Sequence, residues 1–267
     1  MKFYYRNPII KKRTIERIKK TFQYIDSVGS NLIDTAVVNP MISRITKDAI
    51  KLSYFTNGAF DPSIGIISRQ WNRFKKPILP DSNRIKRLIS LVDYRKILIK
   101  GDTLLPGKGQ VIDLGGIAKG YALDTAIAIM KSFGIRSGLV NAGGDIKLLG
   151  KKYRKSEWMI GLQDPRDKES IIDTLKIHSC TVATSGDYER YFIIDGKRYH
   201  HLLDPKTGFP SRGCMSVTVI SKNGELADGL ATAIFIMGPT KGKNFMEKNN
   251  IRGIIIDSLK NEIKVGL

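Results

Sequence analysis

Two histidines and an Asp–Thr pair lie close together in the sequence, and their residue types suit chemistry on a phosphate. His200 and His201 precede Leu-Leu-Asp-Pro-Lys-Thr-Gly, and a later segment reads Leu226-Ala-Asp-Gly-Leu-Ala-Thr232. That later segment is predicted to be helical, which places Asp228 and Thr232 one turn apart on the same face. A carboxylate and a hydroxyl are oxygen ligands of the kind that Mg²⁺ takes, and a nearby histidine can act as a base.

The histidine pair is predicted to lie at the end of a strand. Adjacent strand residues point to opposite faces, so only one of His200 and His201 can easily face a given pocket. His178, the third histidine, is expected to lie on a separate strand and to be structural. The sequence contains no nucleophile elbow, so a Ser-His-Asp arrangement is not expected.

Two glycine-containing turns are candidates for ligand contact. In Gly58-Ala-Phe-Asp-Pro-Ser-Ile-Gly65, the small residues permit close backbone approach and Asp61 can accept a hydrogen bond, although an ordinary Asp-Pro turn has the same composition. In Ile112-Asp-Leu-Gly-Gly-Ile-Ala-Lys-Gly120, a strand leads into a helix whose free N–H groups favour an anion, with Lys119 adding positive charge. The alternative is a tight strand-to-helix turn, since neither the dinucleotide nor the P-loop motif is present.

Two further segments are weaker candidates. Asn141-Ala-Gly-Gly-Asp145 follows a strand, and its paired glycines either line a site or form a bulge. Ala183-Thr-Ser-Gly-Asp-Tyr188 is rich in hydroxyl groups, which either bond a phosphate or cap a turn.

The composition suggests partners but does not select one. Lys and Arg number 45 against 25 acidic residues in 267, a net charge of +20. Such an excess suits nucleic acid, an anionic membrane surface, phosphorylated ligands or simply a solvated basic surface. The basic residues are scattered and no nucleic-acid motif accompanies them, so no nucleic-acid partner is expected.

Cysteine content and hydropathy limit the class of protein further. Cys180 and Cys214 lack CxxC spacing, so they are interpreted as core residues, with a single disulfide between them as the alternative. No run of 18 apolar residues occurs, which predicts no membrane span. The first residues lack an apolar signal-peptide region, which favours a cytoplasmic protein.

Hydrophobic periodicity predicts a mixture of helices and strands without regular βαβ units. Helices are predicted over 14–26, 41–56, a short segment after Pro80, 117–133 and 225–237, and residues 27–40 are predicted to be loop. Strands are predicted over 96–100, 110–113, 137–141, 157–162, 171–177, 189–194, 198–203, 215–221 and 251–257, with a hairpin turn at Asp195-Gly196. This pattern predicts one α+β domain over 1–267, with a mixed, largely antiparallel sheet and packed helices.

Taken as a set, the motifs resemble those of the ApbE family of FAD:protein FMN transferases. The segments that carry the resemblance are GAFDPSIG, IDLGGIAKGYALD, VNAGGDI, ATSGDYERYF, YHHLLDPKTGFP and LADGLATA, and it extends from about Asp26 to the C-terminus. The resemblance implies a Mg²⁺-dependent flavin transferase that takes FAD as substrate. It would release AMP and link FMN through phosphate to a threonine of a target flavoprotein.

The resemblance also implies roles for individual residues. Asp228 and Thr232 match side-chain metal ligands, Gly116 matches a backbone metal ligand, and His201 matches the catalytic base. A further acid of the family falls at Ala231, so ligation there is lost. The positions implied to bind the flavin substrate are Ala59, Phe60, Asp61, Asp113, Lys119 and Leu203.

The remaining expectations concern partners, compartment and alternatives. The recipient is expected to be a redox-complex subunit with a flavinylation motif, and membrane contact is expected only through it. The family's N-terminal strand with its Met-Gly-Thr motif is expected to be missing. If the true N-terminus is missing too, the alternative is a periplasmic, inner-membrane lipoprotein. The alternative functions are FAD binding without transferase activity and Mg²⁺-dependent FAD pyrophosphatase activity.

Overall fold

A seven-stranded antiparallel sheet forms the centre of the structure, a computed structural model that describes residues 2–3, 8–29, 36–71, 77–152 and 157–267. Every neighbouring pair of strands in this sheet is antiparallel. From one edge to the other, the strands are β1 (Lys2–Phe3), β5 (Gly138–Ala142), β6 (Asp145–Leu149), β9 (Thr181–Gly186), β12 (Cys214–Ser221), β13 (Arg252–Asp257) and β14 (Glu262–Val265).

Three small antiparallel sheets surround the central one. They are β2 (Ala36–Val37) with β4 (Thr103–Leu105) and β3 (Leu98–Lys100), β7 (Trp158–Gln163) with β8 (Ile171–Ile177), and β10 (Tyr191–Ile194) with β11 (Lys197–His200). Asp195 and Gly196 connect β10 to β11 with φ values of 50° and 69°. Positive φ at both central residues is typical of the type I′ hairpin turn, so this predicted hairpin is confirmed.

Seven helices are found in the described residues. They are α1 (Pro8–Gly29), α2 (Pro40–Phe55), α3 (Gly65–Trp71), α4 (Ser82–Leu88), α5 (Ala118–Ser132), α6 (Gly224–Met237) and α7 (Pro239–Lys248). α5 and α6 pack on one face of the central sheet, and α1 packs on α5. The β7–β8 hairpin contributes Trp158 and Ile160 to a second apolar cluster, which also contains Val182 and Ile254 of the sheet.

α6 is apolar on nearly all sides, and it is therefore buried along most of its length. Its residues join α2 and strands β9 and β12 in the largest hydrophobic cluster. Cys180 and Cys214 are both buried free thiols, so the predicted core role is confirmed and they form no disulfide. Among the described residues, no helix combines the length and the hydrophobicity needed to span a bilayer.

The predicted α+β class and the largely antiparallel pairing are confirmed, but several elements differ. The strand predicted over 110–113 does not form. Val111 instead makes an isolated parallel bridge with Ile64. The loop predicted over 27–40 contains the end of α1 and strand β2, while residues 30–35 lie outside the described part. His178 is exposed and follows β8 rather than lying on a strand.

Candidate functional site

A cavity of about 410 Å³ opens where β9, α5 and α6 meet. Its walls come from segments that are distant in sequence, including the turn after α2, the start of α5 and the residues after β11. Every residue predicted to form the site lines this cavity except Ala59. The predicted residues that line it are Phe60, Asp61, Asp113, Gly116, Lys119, His201, Leu203, Asp228 and Thr232.

α6 presents Asp228 and Thr232 to the cavity from one helix face. The helix begins after Asn223, whose side chain accepts a hydrogen bond from the Leu226 N–H at 2.8 Å. Asp228 is only 4% exposed, and its Oδ2 accepts a hydrogen bond from the Gly120 N–H at 2.9 Å. Burial raises the pKa of Asp228, and the negative charge of Asp145 raises it further. The Thr232 hydroxyl lies 3.2 Å from the Ser185 hydroxyl.

The turn before α5 brings the Gly116 backbone against Thr232. The Asp113 carboxylate accepts a hydrogen bond from the Gly115 N–H at 2.9 Å, which fixes the turn. A Cβ on residue 116 would lie 3.0 Å from Cε2 of Phe60 and 3.4 Å from Oγ1 of Thr232. Glycine therefore allows the backbone to approach the α6 hydroxyl closely.

The donor set of Gly116, Asp228 and Thr232 suits a hard cation with few protein ligands. These three residues line the same cavity and would offer one carbonyl, one carboxylate and one hydroxyl oxygen. Mg²⁺ is commonly bound by one or two carboxylates, with waters and substrate phosphates as its other ligands. The described residues contain no cluster of three or more His, Cys, Asp or Glu that could hold a metal ion. The residues thus fit Mg²⁺ that is shared with a substrate phosphate better than a metal held by protein alone.

The sequence leaves the start of α5 as either an anion site or a tight strand-to-helix turn. The Ile117 and Ala118 N–H groups both donate to the Leu114 carbonyl, at 3.1 and 3.0 Å, and the Gly120 N–H donates to Asp228. These helix-start donors are therefore used within the protein. For these residues the structure favours the second interpretation of the sequence, a tight strand-to-helix turn, because the Leu114 carbonyl and the Asp228 carboxylate already accept their N–H groups.

Lys119 supplies positive charge at the same wall. Its Nζ lies 2.6 Å from Oδ2 of Asp145, whose Oδ1 accepts a hydrogen bond from the Thr184 N–H at 2.8 Å. Burial lowers the pKa of Lys119, but the charges of Asp228 and Asp145 outweigh burial, and the net pKa is raised. Lys119 therefore remains a cation between two carboxylates.

His201 faces the cavity with one ring nitrogen held by the backbone. The His201 N–H donates to the Arg190 carbonyl at 3.1 Å, and Nδ1 lies 3.3 Å from the same oxygen. Because a carbonyl can only accept, Nδ1 carries the proton and Nε2 holds the free lone pair. Burial, reinforced by the charge of Arg190, lowers the pKa of His201 to about 3. The imidazole is therefore neutral at physiological pH.

His200 points away from the cavity, as the strand geometry predicts for one member of the pair. It is 3% exposed, and its Nε2 lies 2.9 Å from the Ser211 carbonyl oxygen. Its ring packs edge-on against Phe235 of α6. Burial lowers the pKa of His200 to about 4. This histidine holds the segment that presents His201.

The turn after α2 contributes Phe60 and Asp61 to the cavity. Oδ1 of Asp61 accepts hydrogen bonds from the N–H and the hydroxyl of Ser63, and Oδ2 accepts from the Tyr94 N–H at 3.1 Å. Burial raises the pKa of Asp61 despite these bonds. Ala59 belongs to the main hydrophobic cluster, so the structure places it behind the cavity wall.

Several wall residues were not assigned from the sequence. Those at and after β9 are Thr184, Ser185, Gly186, Glu189 and Arg190. Thr184, Ser185 and Gly186 belong to the hydroxyl-rich segment Ala183 to Tyr188, which the sequence marked as a candidate. In the structure these three residues lie on strand β9. Trp71 also lines the cavity, and its residue type gives no comparable signal.

The antiparallel sheet and the contact between the starts of α5 and α6 define an α+β protein, whose cavity is lined by both polar and apolar side chains. A family model described as the ApbE family matches residues 11–255. The chain therefore belongs to the ApbE family.

Relatives and solved structures agree with this assignment. The "FAD:protein FMN transferase" of Treponema pallidum (strain Nichols) is 33% identical over 226 residues, covering 77% of this chain and 62% of that protein. The Vibrio cholerae protein of the same name is 33% identical over 225 residues, covering 82% and 67%. The match thus spans about two thirds of these relatives' length or slightly less.

Among solved structures, the ApbE protein of Thermotoga maritima superposes with a TM-score of 0.84 and 34% identity, covering 96% of this chain and 89% of that one. The flavinyl transferase ApbE of Pseudomonas stutzeri, in its apo form, gives a TM-score of 0.80 with 28% identity, covering 92% and 83%.

Proposed function

We propose that this protein transfers FMN from FAD to a threonine hydroxyl of a recipient flavoprotein and releases AMP. The observation that carries the proposal is the single cavity shared by His201, Asp228, Thr232 and the Gly116 backbone. A base and a set of hard oxygen ligands in one cavity suit phosphoryl chemistry. The names of the relatives specify FAD as the donor and a protein as the acceptor.

In this proposal, the Gly116 carbonyl, the Asp228 carboxylate and the Thr232 hydroxyl would hold Mg²⁺. The metal, when bound, neutralises charge on the FAD diphosphate. Lys119 lies at the same wall and adds a fixed positive charge beside it. The charges of Asp145 and Asp228 keep that lysine protonated, so its contribution is present throughout the neutral pH range.

His201 acts as the base toward the acceptor. Its neutral Nε2 takes the proton from the threonine hydroxyl. The threonine oxygen forms a bond to the FMN-side phosphorus, and the bond from that phosphorus to the bridging oxygen breaks. AMP leaves with that oxygen, FMN stays on the threonine, and the proton stays on His201.

The experiment combines purified protein, FAD, Mg²⁺ and a recipient carrying the family's flavinylation motif, with mass spectrometry of the products. We expect an FMN adduct on threonine. Free FMN with AMP would instead identify a pyrophosphatase, and unchanged FAD that remains bound would identify a flavin-binding protein.

Replacement of the base gives the first prediction. His201→Ala should abolish transfer, by at least about a hundredfold as expected for a general base, while FAD affinity stays near the wild-type value. The measurements are adduct formation by mass spectrometry and FAD binding by fluorescence. The matched control is His178→Ala, because His178 is an exposed histidine outside the cavity. Transfer at the wild-type rate by His201→Ala would contradict the assigned base.

A further inference from the structure

The β10–β11 hairpin has an outer edge whose backbone hydrogen-bonding groups point away from β11. The His201 N–H donates to the Arg190 carbonyl, and the register pairs Tyr191 with His200 and Ile193 with Arg198. Hydrogen-bonded and non-hydrogen-bonded pairs alternate in an antiparallel ladder. Since Arg190 and His201 form a bonded pair, Tyr191 and Ile193 direct their N–H and C=O groups outward.

These outward groups have no backbone partner among the residues that the structure describes. β10 and β11 form a sheet of two strands, so β10 is an edge strand. The other edge differs, because the Arg198 carbonyl on β11 accepts a hydrogen bond from the Arg212 guanidinium at 2.8 Å. Tyr191 and Ile193 are 37% and 56% exposed. The outer edge of β10 is therefore accessible.

The sequence of β10 lacks the features that usually protect an edge strand. Such edges are normally blocked by lysine, proline, a bulge or a covering element. β10 reads Tyr-Phe-Ile-Ile, and its register with β11 shows no bulge. A regular edge that no described element covers is a template for another strand.

This edge leads directly into the cavity. Glu189 and Arg190, the two residues before β10, line the cavity wall, and the Arg190 carbonyl holds His201. The hairpin is fixed in place, since Phe192 and Tyr199 stack on each other with ring centroids 5.5 Å apart, and Tyr199 stacks on Trp71 at 5.8 Å. A strand paired with β10 would run along a preformed edge toward the base.

We propose that the outer edge of β10 binds the recipient protein, as an extended segment that adds a third strand to the hairpin. The inference rests on the proposed transferase function. Backbone hydrogen bonds to Tyr191 and Ile193 would supply affinity for any extended segment. The exposed Ile193 side chain would favour an apolar residue on the recipient, whereas the Arg198 guanidinium lies over the Tyr191 ring, 3.9 Å from its centroid.

The test uses proline at an outward-facing position. Ile193→Pro removes one outward N–H but no bond of the β10–β11 ladder, and proline is tolerated on edge strands in that orientation. For a recipient peptide that the wild type modifies, KM should rise about fivefold, the typical effect of one lost hydrogen bond. The kcat and the FAD affinity should stay near wild type. Ile193→Ala is the matched control, since it shortens the same side chain but keeps the N–H.

A second measurement leaves the protein unchanged. Recipient peptides with a single N-methylated residue should lose affinity at alternate positions along the segment, as strand pairing requires. An unchanged KM for Ile193→Pro, or N-methylation without alternation, would overturn the edge assignment while the transferase remains intact. If the wild type transfers FMN to none of the recipients, the proposed function is overturned, and the role of the edge with it.

Discussion

Glu225 is a buried carboxylate that the site does not use, and its environment makes stability depend on pH. It lies in the first turn of α6, 4% exposed, with the Arg44 guanidinium 3.0 Å from its Oε2. Burial raises its pKa from 4.5 to about 7, although Arg44 opposes the shift. The folded protein therefore binds this proton more tightly than the unfolded chain does. The resulting stabilisation is complete below pH 4.5 and is lost as pH rises toward 7.

Replacement of this carboxylate should change the pH dependence of stability. Glu225→Gln cannot lose a proton, so its free energy of unfolding should increase relative to wild type between pH 4.5 and 7, by at most about 1.4 kcal/mol per pH unit. Urea unfolding at pH 5 and pH 8 measures this difference. Glu247→Gln, at a half-exposed carboxylate paired with Lys243, is the matched control. A Glu225→Gln effect that is equal at both pH values would contradict the assignment.

At the level of single residues, the sequence predicts which side chains line the cavity but not the hydrogen bonds between them. The types and spacing of Asp228 and Thr232 indicated a pair of oxygen ligands, whereas the role of Gly116 and the choice of His201 over His200 came from the resemblance to the ApbE family. The bond from the Gly120 N–H to Asp228 joins residues 108 positions apart, and no local pattern encodes such a contact. The buried position of Ala59 likewise depends on packing around α2.

Among the secondary-structure elements, the starts of α5 and α6 make the contact that fixes how these two helices pack. Asp228 on α6 accepts from the Gly120 N–H of α5, and Asp124 on α5 accepts from the Gly224 N–H of α6 at 2.9 Å. Each helix thus supplies a carboxylate to the positive end of the other. A Cβ at Gly120 would lie 2.1 Å from the Gly224 carbonyl oxygen. Glycine is required because the two backbones touch.

Alanine at this contact should separate the helices. In an exposed helix, Gly→Ala stabilises by up to about 1 kcal/mol, but the overpacking here should cost about 1–3 kcal/mol. Gly120→Ala should therefore lower the free energy of unfolding and weaken FAD binding, because Asp228 moves with α6. The measurements are urea unfolding and FAD fluorescence titration.

The control separates a steric clash from backbone strain. Gly101 has a φ of 58° and open space around its Cβ direction, so Gly101→Ala should cost about 1–2 kcal/mol through strain alone. FAD affinity should be unchanged in that variant. A stabilised Gly120→Ala protein would show that the helices are not held in close contact.

Elements with a clear hydrophobic period were predicted well, and those without one were missed. α2, α5 and α6 agree with their predicted ranges to within one or two residues. β9 was not predicted as a strand, because its small residues are buried on both faces and show no alternation; its hydroxyl groups were interpreted as phosphate contacts or turn caps. α7 was missed because only Gly242 and Met246 are buried on it. In both cases tertiary packing, which local sequence does not encode, stabilises the element.

For the whole molecule, the cavity joins segments from residue 60 to residue 236 that are held together only by the folded core. A ligand that contacts several of these segments binds the folded state and not the unfolded chain. Its binding free energy is then added to the stability of the entire fold. Occupancy of the cavity should consequently be visible as a change in global unfolding.

FAD with Mg²⁺, at a hundred times its dissociation constant, should add about 2.7 kcal/mol to the free energy of unfolding. Thermal or urea unfolding at increasing FAD concentration measures the shift, with Mg²⁺ removed by chelator in a parallel series. His201→Ala should show the wild-type shift, because its ring serves the acceptor, and Asp228→Ala should lose the Mg²⁺-dependent part. Equal shifts with and without the metal in the wild type would count against Asp228 and Thr232 as ligands. Absence of any FAD-dependent shift would show that this cavity does not bind the flavin nucleotide.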